Sequence, residues 1–338
     1  MKTVLLFLAS AIASAIASAS AAAAAPCTSV ANCSDWVVLS GGPARSLIYR
    51  THPLGVRNTA ITRALIVVHG TNRDADNYFR SSLASAFLAG ALDDTALIVP
   101  RVASAQGNCH DKLAENEVSW SCDGDSWRSG GNAASVPALN SFDLMDEILR
   151  TLAKKDSFPN LKTIVVAGHS AGGQYVNRYS MANTVHEKLG VPVTYVVANP
   201  SSYAYLDASR PNAEGNKFGN FGDGRNCTTF NQWPYGIEGR KSGYTAKLTE
   251  EQLKQQLASR PVTYLLGEID VLPLGGFDNS CPAMAQGPTR RARGEAFQKY
   301  VTEKIGAKHP AVIVPLCGHN ARCMFTADIA APLLYPKQ

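Results

Sequence analysis

The sequence predicts an α/β fold with a mostly parallel central β-sheet flanked by helices. The first observation is a set of short, largely apolar runs, which lie at residues 64–69, 96–100, 163–167, 191–198, 262–267 and 311–315. Strands of this composition are typical of parallel sheets, because both of their faces are buried. The second observation is that segments with helical periodicity separate most of these runs, as expected for α/β units. The third is Ser170, which stands between two glycines where an apolar run meets a helix.

The first half of the chain starts outside the parallel region. Strand-like runs at residues 36–39 and 46–50 flank Gly41-Gly42-Pro43, and this pattern predicts an antiparallel hairpin. Periodicity then predicts helices at residues 78–91 and 142–154, the second of them capped by Asn140 or Ser141.

The second half contains a segment without periodicity. Residues 199–247 are rich in glycine, asparagine, proline and aromatic residues. Order returns at Thr249, which with Gln252 predicts a capping box, and further helices are predicted at residues 291–305 and 324–334. Since no repeat or low-complexity linker follows the amino terminus, we expect one domain at residues 26–338. Within it, residues 199–247 form an insertion after the sixth strand.

Residues 1–25 have the pattern of a secretory signal peptide. Lys2 precedes a short apolar run, and an alanine- and serine-rich tract follows, with cleavage expected between residues 21 and 25. A membrane anchor is the alternative, but the strongly apolar part is too short to span a bilayer. We therefore expect an exported protein, extracellular or periplasmic, with no membrane span after cleavage. We expect it to be a monomer.

The cysteine count fits an oxidising compartment. The chain has eight cysteines, and an even number in an exported protein indicates disulfides. Sequence alone leaves the connectivity open, but proximity favours Cys27–Cys33, Cys109–Cys122, Cys227–Cys281 and Cys317–Cys323. A zinc site is the alternative, and the lack of C-x-x-C and H-x-x-x-H pairs disfavours it. We expect no metal and no cofactor. The net charge of +5 is dispersed, so we expect no nucleic-acid partner.

Ser170 has the surroundings of a catalytic nucleophile. The sequence Gly168-His169-Ser170-Ala171-Gly172 matches the G-x-S-x-G pattern, and it lies between a strand and a helix as that motif requires. Such a turn strains the backbone of the serine, and the glycines allow neighbouring elements to approach closely. A chance match in a glycine-containing turn is the alternative.

A nucleophilic serine needs a base and a carboxylate that orients the base, and both belong at the carboxyl ends of sheet strands. His319 follows the last apolar run and is the expected base. Asp270 follows the preceding run and is the expected carboxylate, with Glu268 and Asp278 as alternatives. Ser170, Asp270 and His319 occur in the chain order expected for this architecture.

An oxyanion hole is expected from two backbone N–H groups. Gly70 and Thr71 follow an earlier strand, where glycine permits close approach. The N–H of Thr71 and that of Ala171, the residue after the nucleophile, are the expected donors. A simple turn is the alternative interpretation of the segment at residues 69–71.

Taken together, these motifs resemble the α/β-hydrolase fold superfamily of serine hydrolases. The resemblance rests on residues 69–70, 168–172, 267–270 and 318–319, and so covers nearly all of the chain after the signal peptide. The run at residues 74–79 is similar to that of exported esterases and polyester-depolymerase-like proteins. The segment at residues 69–71 is His-Gly-Thr rather than the His-Gly-Gly-Gly of many lipases. The resemblance implies the fold and the reaction type, not a substrate.

The aromatic insertion offers two interpretations. Residues 199–247 either form a partial cap over the substrate, with Tyr203, Trp233 and Tyr235 as pocket walls, or form a surface loop whose aromatic side chains pack beneath it. An open aromatic cleft would suit aryl or polymeric esters, and a closed cap would suit small acyl groups.

The function that these features predict is a secreted serine hydrolase, a carboxylesterase acting on small-molecule or polymeric esters through an acyl-enzyme intermediate. A serine peptidase or amidase with the same triad is the first alternative. A non-catalytic binding module that has kept the fold is the second.

Overall fold

The computed structural model of the 338-residue chain describes residues 25–221, 226–241 and 243–337. The predicted signal peptide, apart from Ala25, lies outside these residues. The strands are β1 (Ser34–Val38), β2 (Arg45–Arg50), β3 (Arg63–Val68), β4 (Thr95–Pro100), β5 (Thr163–His169), β6 (Val193–Ala198), β7 (Ser209–Pro211), β8 (Phe218–Asn220), β9 (Val262–Gly267) and β10 (Ala311–Val314). The helices are α1 (Ala75–Leu88), α2 (Ser141–Leu152), α3 (Ala171–Ala182), α4 (Glu250–Ser259), α5 (Cys281–Met284), α6 (Arg290–Tyr300), α7 (Ala321–Thr326) and α8 (Ala331–Leu334). Among the described residues, no helix has the length and apolar character needed to cross a membrane.

In the described part of the chain, eight strands form the central sheet in the order β1-β2-β4-β3-β5-β6-β9-β10. The pairs β1–β2 and β2–β4 are antiparallel, and every pair from β4 to β10 is parallel. The predicted mostly parallel sheet, with an antiparallel hairpin at its start, is therefore confirmed. Strands β7 and β8 pair separately within residues 199–247.

The inner strands are buried on both faces, as their composition predicts. In β3, Leu65 and Val67 belong to one apolar cluster, whereas Ile66 and Val68 belong to another. The first cluster includes side chains of α1, α7 and α8, and the second includes side chains of α2, α3, α4 and α6. Because successive side chains of a strand point to opposite faces, helices on both sides of the sheet need a strand that is apolar throughout.

Capping residues fix the starts of two helices as the sequence predicts. Asn140 and Thr249 each accept a hydrogen bond from the third residue of the helix, and the side chain of that residue binds the cap in return. The predicted helix at residues 324–334, by contrast, is two helices. The backbone of Ala327 is extended (φ −68°, ψ 138°) and ends α7, and Pro332 stands in the first turn of α8, where its missing N–H costs nothing.

Four disulfides tie down the loops around the sheet. They join Cys27–Cys33, Cys109–Cys122, Cys227–Cys281 and Cys317–Cys323, with Cα–Cα distances from 5.5 to 5.9 Å. These are the pairs that proximity favours. The last bridge encloses the loop after β10, and Cys227–Cys281 connects residues 199–247 to the start of α5.

Candidate active site

Ser170 lies on the tight turn between β5 and α3. Its backbone is strained, with φ 60° and ψ −119°, in a region that residues other than glycine rarely adopt. A Cβ on Gly168 would overlap the backbone of Gly172, and a Cβ on Gly172 would overlap the carbonyl oxygen of Val68. Both flanking glycines are therefore required for the approach of α3 to the sheet, and the turn has the form of a nucleophile elbow.

Ser170, His319 and Asp270 form a hydrogen-bonded chain. The Ser170 hydroxyl lies 2.9 Å from Nε2 of His319, and Nδ1 of His319 lies 2.8 Å from Oδ2 of Asp270. Asp270 follows β9 and His319 follows β10, and these strands are parallel neighbours, so their carboxyl ends bring the two loops together. The Ile269 N–H also donates to the Cys317 carbonyl at 3.0 Å and so joins these loops directly.

The two alternative carboxylates have other partners. Glu268 accepts a hydrogen bond from the Leu316 N–H at 2.7 Å, and Asp278 accepts one from the Tyr235 hydroxyl at 2.7 Å. Of the three carboxylates that the sequence offers, the structure places Asp270 against His319.

The expected oxyanion donors have no competing acceptor among the described residues. The N–H groups of Thr71 and Ala171 donate no hydrogen bond to another residue in the part of the chain that the structure describes. Gly70 packs beside the nucleophile, since a Cβ built on it would lie 3.7 Å from Cβ of Ser170 and 2.8 Å from Oη of Tyr78. Two such N–H groups beside a serine suit a developing negative charge on oxygen.

A cleft of about 440 Å³ opens beside Ser170 and His319. Its lining is mostly polar or small and comes from the loop after β3, the first turns of α1, the elbow, a pair of glycines after β9 and the start of α7. The residues are Gly70, Thr71, Asn72, Asp74, Asn77, Tyr78, Ser81, His169, Ser170, Gly275, Gly276, His319, Asn320, Ala321 and Arg322.

Two other histidines near the cleft are held neutral. Burial lowers the pKa of His69 to about 4, and its Nε2 accepts a hydrogen bond from the Val102 N–H. Burial also lowers the pKa of His169 well below its ordinary value, and the charge on His319 lowers it further. Nδ1 of His169 is hydrogen-bonded to the Tyr78 hydroxyl at 3.0 Å, and the ring of His169 lies 4.7 Å from the ring of His319. Neither histidine contacts the Ser170 hydroxyl.

The three aromatic residues expected to wall the pocket are not among those that line the cleft. The Tyr203 ring is fully buried and stacks on Phe297 with ring centroids 4.5 Å apart, so the expectation for Tyr203 is corrected. The Trp233 indole donates to the Ser129 carbonyl, and Tyr235 binds Asp278. Side chains from residues 199–247 fill space under the segment because α6 offers an apolar face to cover.

Sequence reasoning missed three contributors to the site. Tyr78 lies in a predicted helix, and nothing in the sequence indicated that this residue lines the cleft. The pair Gly275-Gly276 was a visible signal, because adjacent glycines close to a predicted acid mark a tight approach. Arg290, whose guanidinium lies 3.6 Å from Asp270, had no sequence signal. Among the described residues, no group of three or more histidine, cysteine, aspartate or glutamate side chains is placed to hold a metal ion.

Comparison with solved structures identifies the class of fold. No family model and no curated protein sequence matches the chain. A poly(3-hydroxybutyrate) depolymerase, LpqC from Bordetella parapertussis, is 21% identical with a TM-score of 0.58, over 86% of this chain and 84% of that one. Poly(aspartic acid) hydrolase-1 from Sphingomonas sp. KT-1 is 21% identical with a TM-score of 0.60, over 89% of this chain and 98% of that one. The chain has the α/β-hydrolase fold.

Proposed function

We propose that the protein is a secreted serine hydrolase that cleaves carboxylic esters through an acyl-enzyme intermediate. The observation that carries this proposal is the hydrogen-bonded chain from Ser170 through His319 to Asp270, at the edge of a cleft. In its favour, the carboxylate is buried and the nucleophile is reached from the cleft.

In the proposed reaction, Ser170 Oγ attacks the ester carbonyl carbon while Nε2 of His319 takes the hydroxyl proton. The N–H groups of Thr71 and Ala171 bind the oxygen of the tetrahedral intermediate. His319 then returns the proton to the departing alcohol, and the acyl group stays on Ser170. A water molecule then attacks the acyl carbon while His319 takes its proton. The bond from that carbon to Ser170 Oγ breaks, His319 returns the proton to Ser170, and the carboxylic acid leaves. Asp270 stabilises the imidazolium in both halves of the reaction.

The predicted signal peptide supports the proposed export, and so do the four disulfides, which are typical of oxidising compartments. A polymeric ester is the substrate class we favour among esters. In its support, a protein of similar fold is a poly(3-hydroxybutyrate) depolymerase, and none of the described residues of the segment at 199–247 lines the cleft.

An amide polymer is the second candidate substrate. The other similar structure is a poly(aspartic acid) hydrolase, and the cleft lining is polar, with the exposed Arg322 at its rim. A cation there would attract an anionic chain. A pure binding module would not need the assembled nucleophile, base and carboxylate, so we do not propose one.

The test is hydrolysis of p-nitrophenyl acetate, butyrate, octanoate and palmitate by the purified protein, with Ser170→Ala beside it. Poly(3-hydroxybutyrate) suspension and soluble poly(aspartic acid) are assayed in parallel. We expect ester turnover that Ser170→Ala abolishes. Cleavage of poly(aspartic acid) with no ester turnover would favour the amidase, and equal activity of the variant would contradict the whole proposal.

A further inference from the structure

A buried arginine stands behind the candidate triad. Arg290 is the first residue of α6, and its side chain has no solvent exposure. Its Nη1 lies 3.6 Å from Oδ1 of Asp270, the carboxylate oxygen that His319 does not use, and the Asp270 side chain is only 1% exposed. The two oxygens of Asp270 thus face two different cations, the imidazolium formed during the reaction and this guanidinium.

The same guanidinium also holds the adjoining wall of the cleft. It donates to the carbonyls of Leu274 (2.7 Å) and Gly275 (2.8 Å) and to the Ser201 hydroxyl (2.8 Å). Gly275 borders the ring of His319, since a Cβ built on it would lie 3.4 Å from Cδ2 of His319. The Arg290 side chain therefore contacts both Asp270 and the 274–275 turn, and both of these lie next to the ring of His319.

We propose that Arg290 is a positioning residue for the triad, which fixes Asp270 and the 274–275 turn together so that His319 keeps its nitrogen on Ser170. This inference rests on the proposed function. The ring of His319 is hydrogen-bonded to one carboxylate oxygen of Asp270 and has Gly275 as a close neighbour. Movement of Asp270 or of the 274–275 turn would therefore let Nε2 move away from the serine. Displacements of about 1 Å at a reacting group cost about 100-fold in rate.

The charge of Arg290 has a separate consequence. It opposes the charge of Asp270, and so it limits how strongly Asp270 favours the imidazolium of His319. Removal of this positive charge is expected to move the acidic limb of the pH profile of kcat/KM to higher pH. The other titratable groups near the triad are Glu268, Tyr78, Asp74, Arg322 and His169. The pKa of His169 is lowered by burial, then by His319 and by Arg290 itself. The substitution leaves these side chains in place, and burial still lowers the pKa of His169 after Arg290 is removed.

Arg293 provides a matched control on the same helix. It is also fully buried, and its guanidinium donates to the carbonyls of Gly287, Asp278 and Ser201. None of these hydrogen bonds goes to Asp270. A merely structural role would make Arg290→Met and Arg293→Met alike in stability, in turnover and in pH dependence.

The experiment measures melting temperature, kcat, KM and the pH profile of kcat/KM on p-nitrophenyl butyrate for wild type, Arg290→Met and Arg293→Met. We expect Arg290→Met to lose about 10- to 100-fold in kcat. Its acidic limb should move upward by roughly one pH unit. Arg293→Met should keep the acidic limb of the wild-type pH profile, even if its melting temperature falls.

Two Lys variants separate charge from geometry. Arg290→Lys should keep the wild-type acidic limb yet lose turnover relative to Arg293→Lys, because an ammonium cannot reproduce the fork of contacts. If the Met variants do not fold, the turnover of the two Lys variants decides. Three results would overturn the proposed role of Arg290. They are an unchanged acidic limb of the kcat/KM pH profile in Arg290→Met, the same shift of that limb in both Met variants, and equal turnover of the two Lys variants. Equal activity of wild type and Ser170→Ala would instead refute the proposed function.

Discussion

The loops that hold the candidate triad and the aromatic segment at residues 199–247 lie close together but are held by different forces. At the triad, directional hydrogen bonds fix each side chain, from Ser170 to His319 and on to Asp270. In the aromatic segment, rings pack face to face and edge to face, and the buried hydroxyls of Tyr203 and Tyr205 have no hydrogen-bond partner among the described residues. Hydrogen bonds thus fix the positions of the triad side chains, whereas burial of apolar rings stabilises the aromatic segment around Tyr203 and Tyr205. Substitutions in the first should therefore change rate more than stability, and those in the second should do the reverse.

The largest effect is expected from His319→Ala. Loss of the proposed base should lower kcat by about 10⁴- to 10⁶-fold, since members of a triad act as a unit. The melting temperature should change little, because the ring is at the cleft surface. Kinetics on p-nitrophenyl butyrate and a thermal melt check this.

His309→Ala is the control for that variant. His309 is a buried histidine that bonds Tyr264 and the Arg260 carbonyl, away from the cleft. The substitution His309→Ala should lower the melting temperature and leave kcat of the folded protein unchanged. A large loss of kcat in His309→Ala would mean that removal of a buried histidine away from the cleft also impairs catalysis, which would contradict the contrast between the two regions.

The elbow gives the next largest effect. Gly172→Ala should lower kcat by about 100-fold or more, because its Cβ meets backbone atoms of β3 and the shift would move Ser170. Gly55→Ala is the matched control, as a Cβ there meets no atom within 4 Å. Equal activity of these two variants would show that the close approach at the elbow is unimportant.

Tyr203 tests the aromatic segment. Tyr203→Ala should destabilise the protein by about 3–5 kcal/mol, the usual cost of deleting a buried aromatic side chain. Tyr203→Phe should change the free energy of unfolding by less than about 1 kcal/mol, since the lost hydroxyl has no partner among the described residues. Urea denaturation measures both. A raised KM in a stable Tyr203→Phe variant would instead indicate that Tyr203 contacts the substrate.

Asp146 provides the smallest effect and a pH dependence. It accepts hydrogen bonds from Tyr179 on α3 and from Tyr244 in the aromatic segment, and burial nevertheless raises its pKa to about 6. Since the folded chain binds this proton more tightly than the unfolded chain, the stabilising contribution is complete below about pH 4. It is lost as the pH rises to about 6. A shift of this size corresponds to at most about 3 kcal/mol.

Urea denaturation of wild type and Asp146→Asn at pH 4 and pH 7 checks that sign. The free energy of unfolding of wild type, relative to the variant, should be lower at pH 7 than at pH 4. A relative gain in wild-type stability with rising pH would mean that the hydrogen bonds of Asp146 outweigh its burial.

Much of the sheet and of the candidate site could be predicted because local sequence determines them. An apolar strand, a glycine-flanked serine and a capping box each depend on a few adjacent residues, and parallel topology then brings the strand ends together. The position of Tyr203 depends instead on whether α6 leaves an apolar face to cover, which no local pattern reveals. Arg290 meets Asp270 across 20 residues of chain through a loop whose path is set by tertiary contacts. The break between α7 and α8 could have been predicted in part, because Pro332 lies inside the segment predicted as one helix.

Covalent labelling of the folded protein with a fluorophosphonate, followed by mapping of the labelled peptide by mass spectrometry, tests directly whether Ser170 is the nucleophile. We expect a single label on Ser170. Labelling should be lost in Ser170→Ala, strongly slowed in His319→Ala and retained in His309→Ala. Absence of label in a folded wild-type protein, or label on another residue that persists in Ser170→Ala, would contradict the proposed role of Ser170.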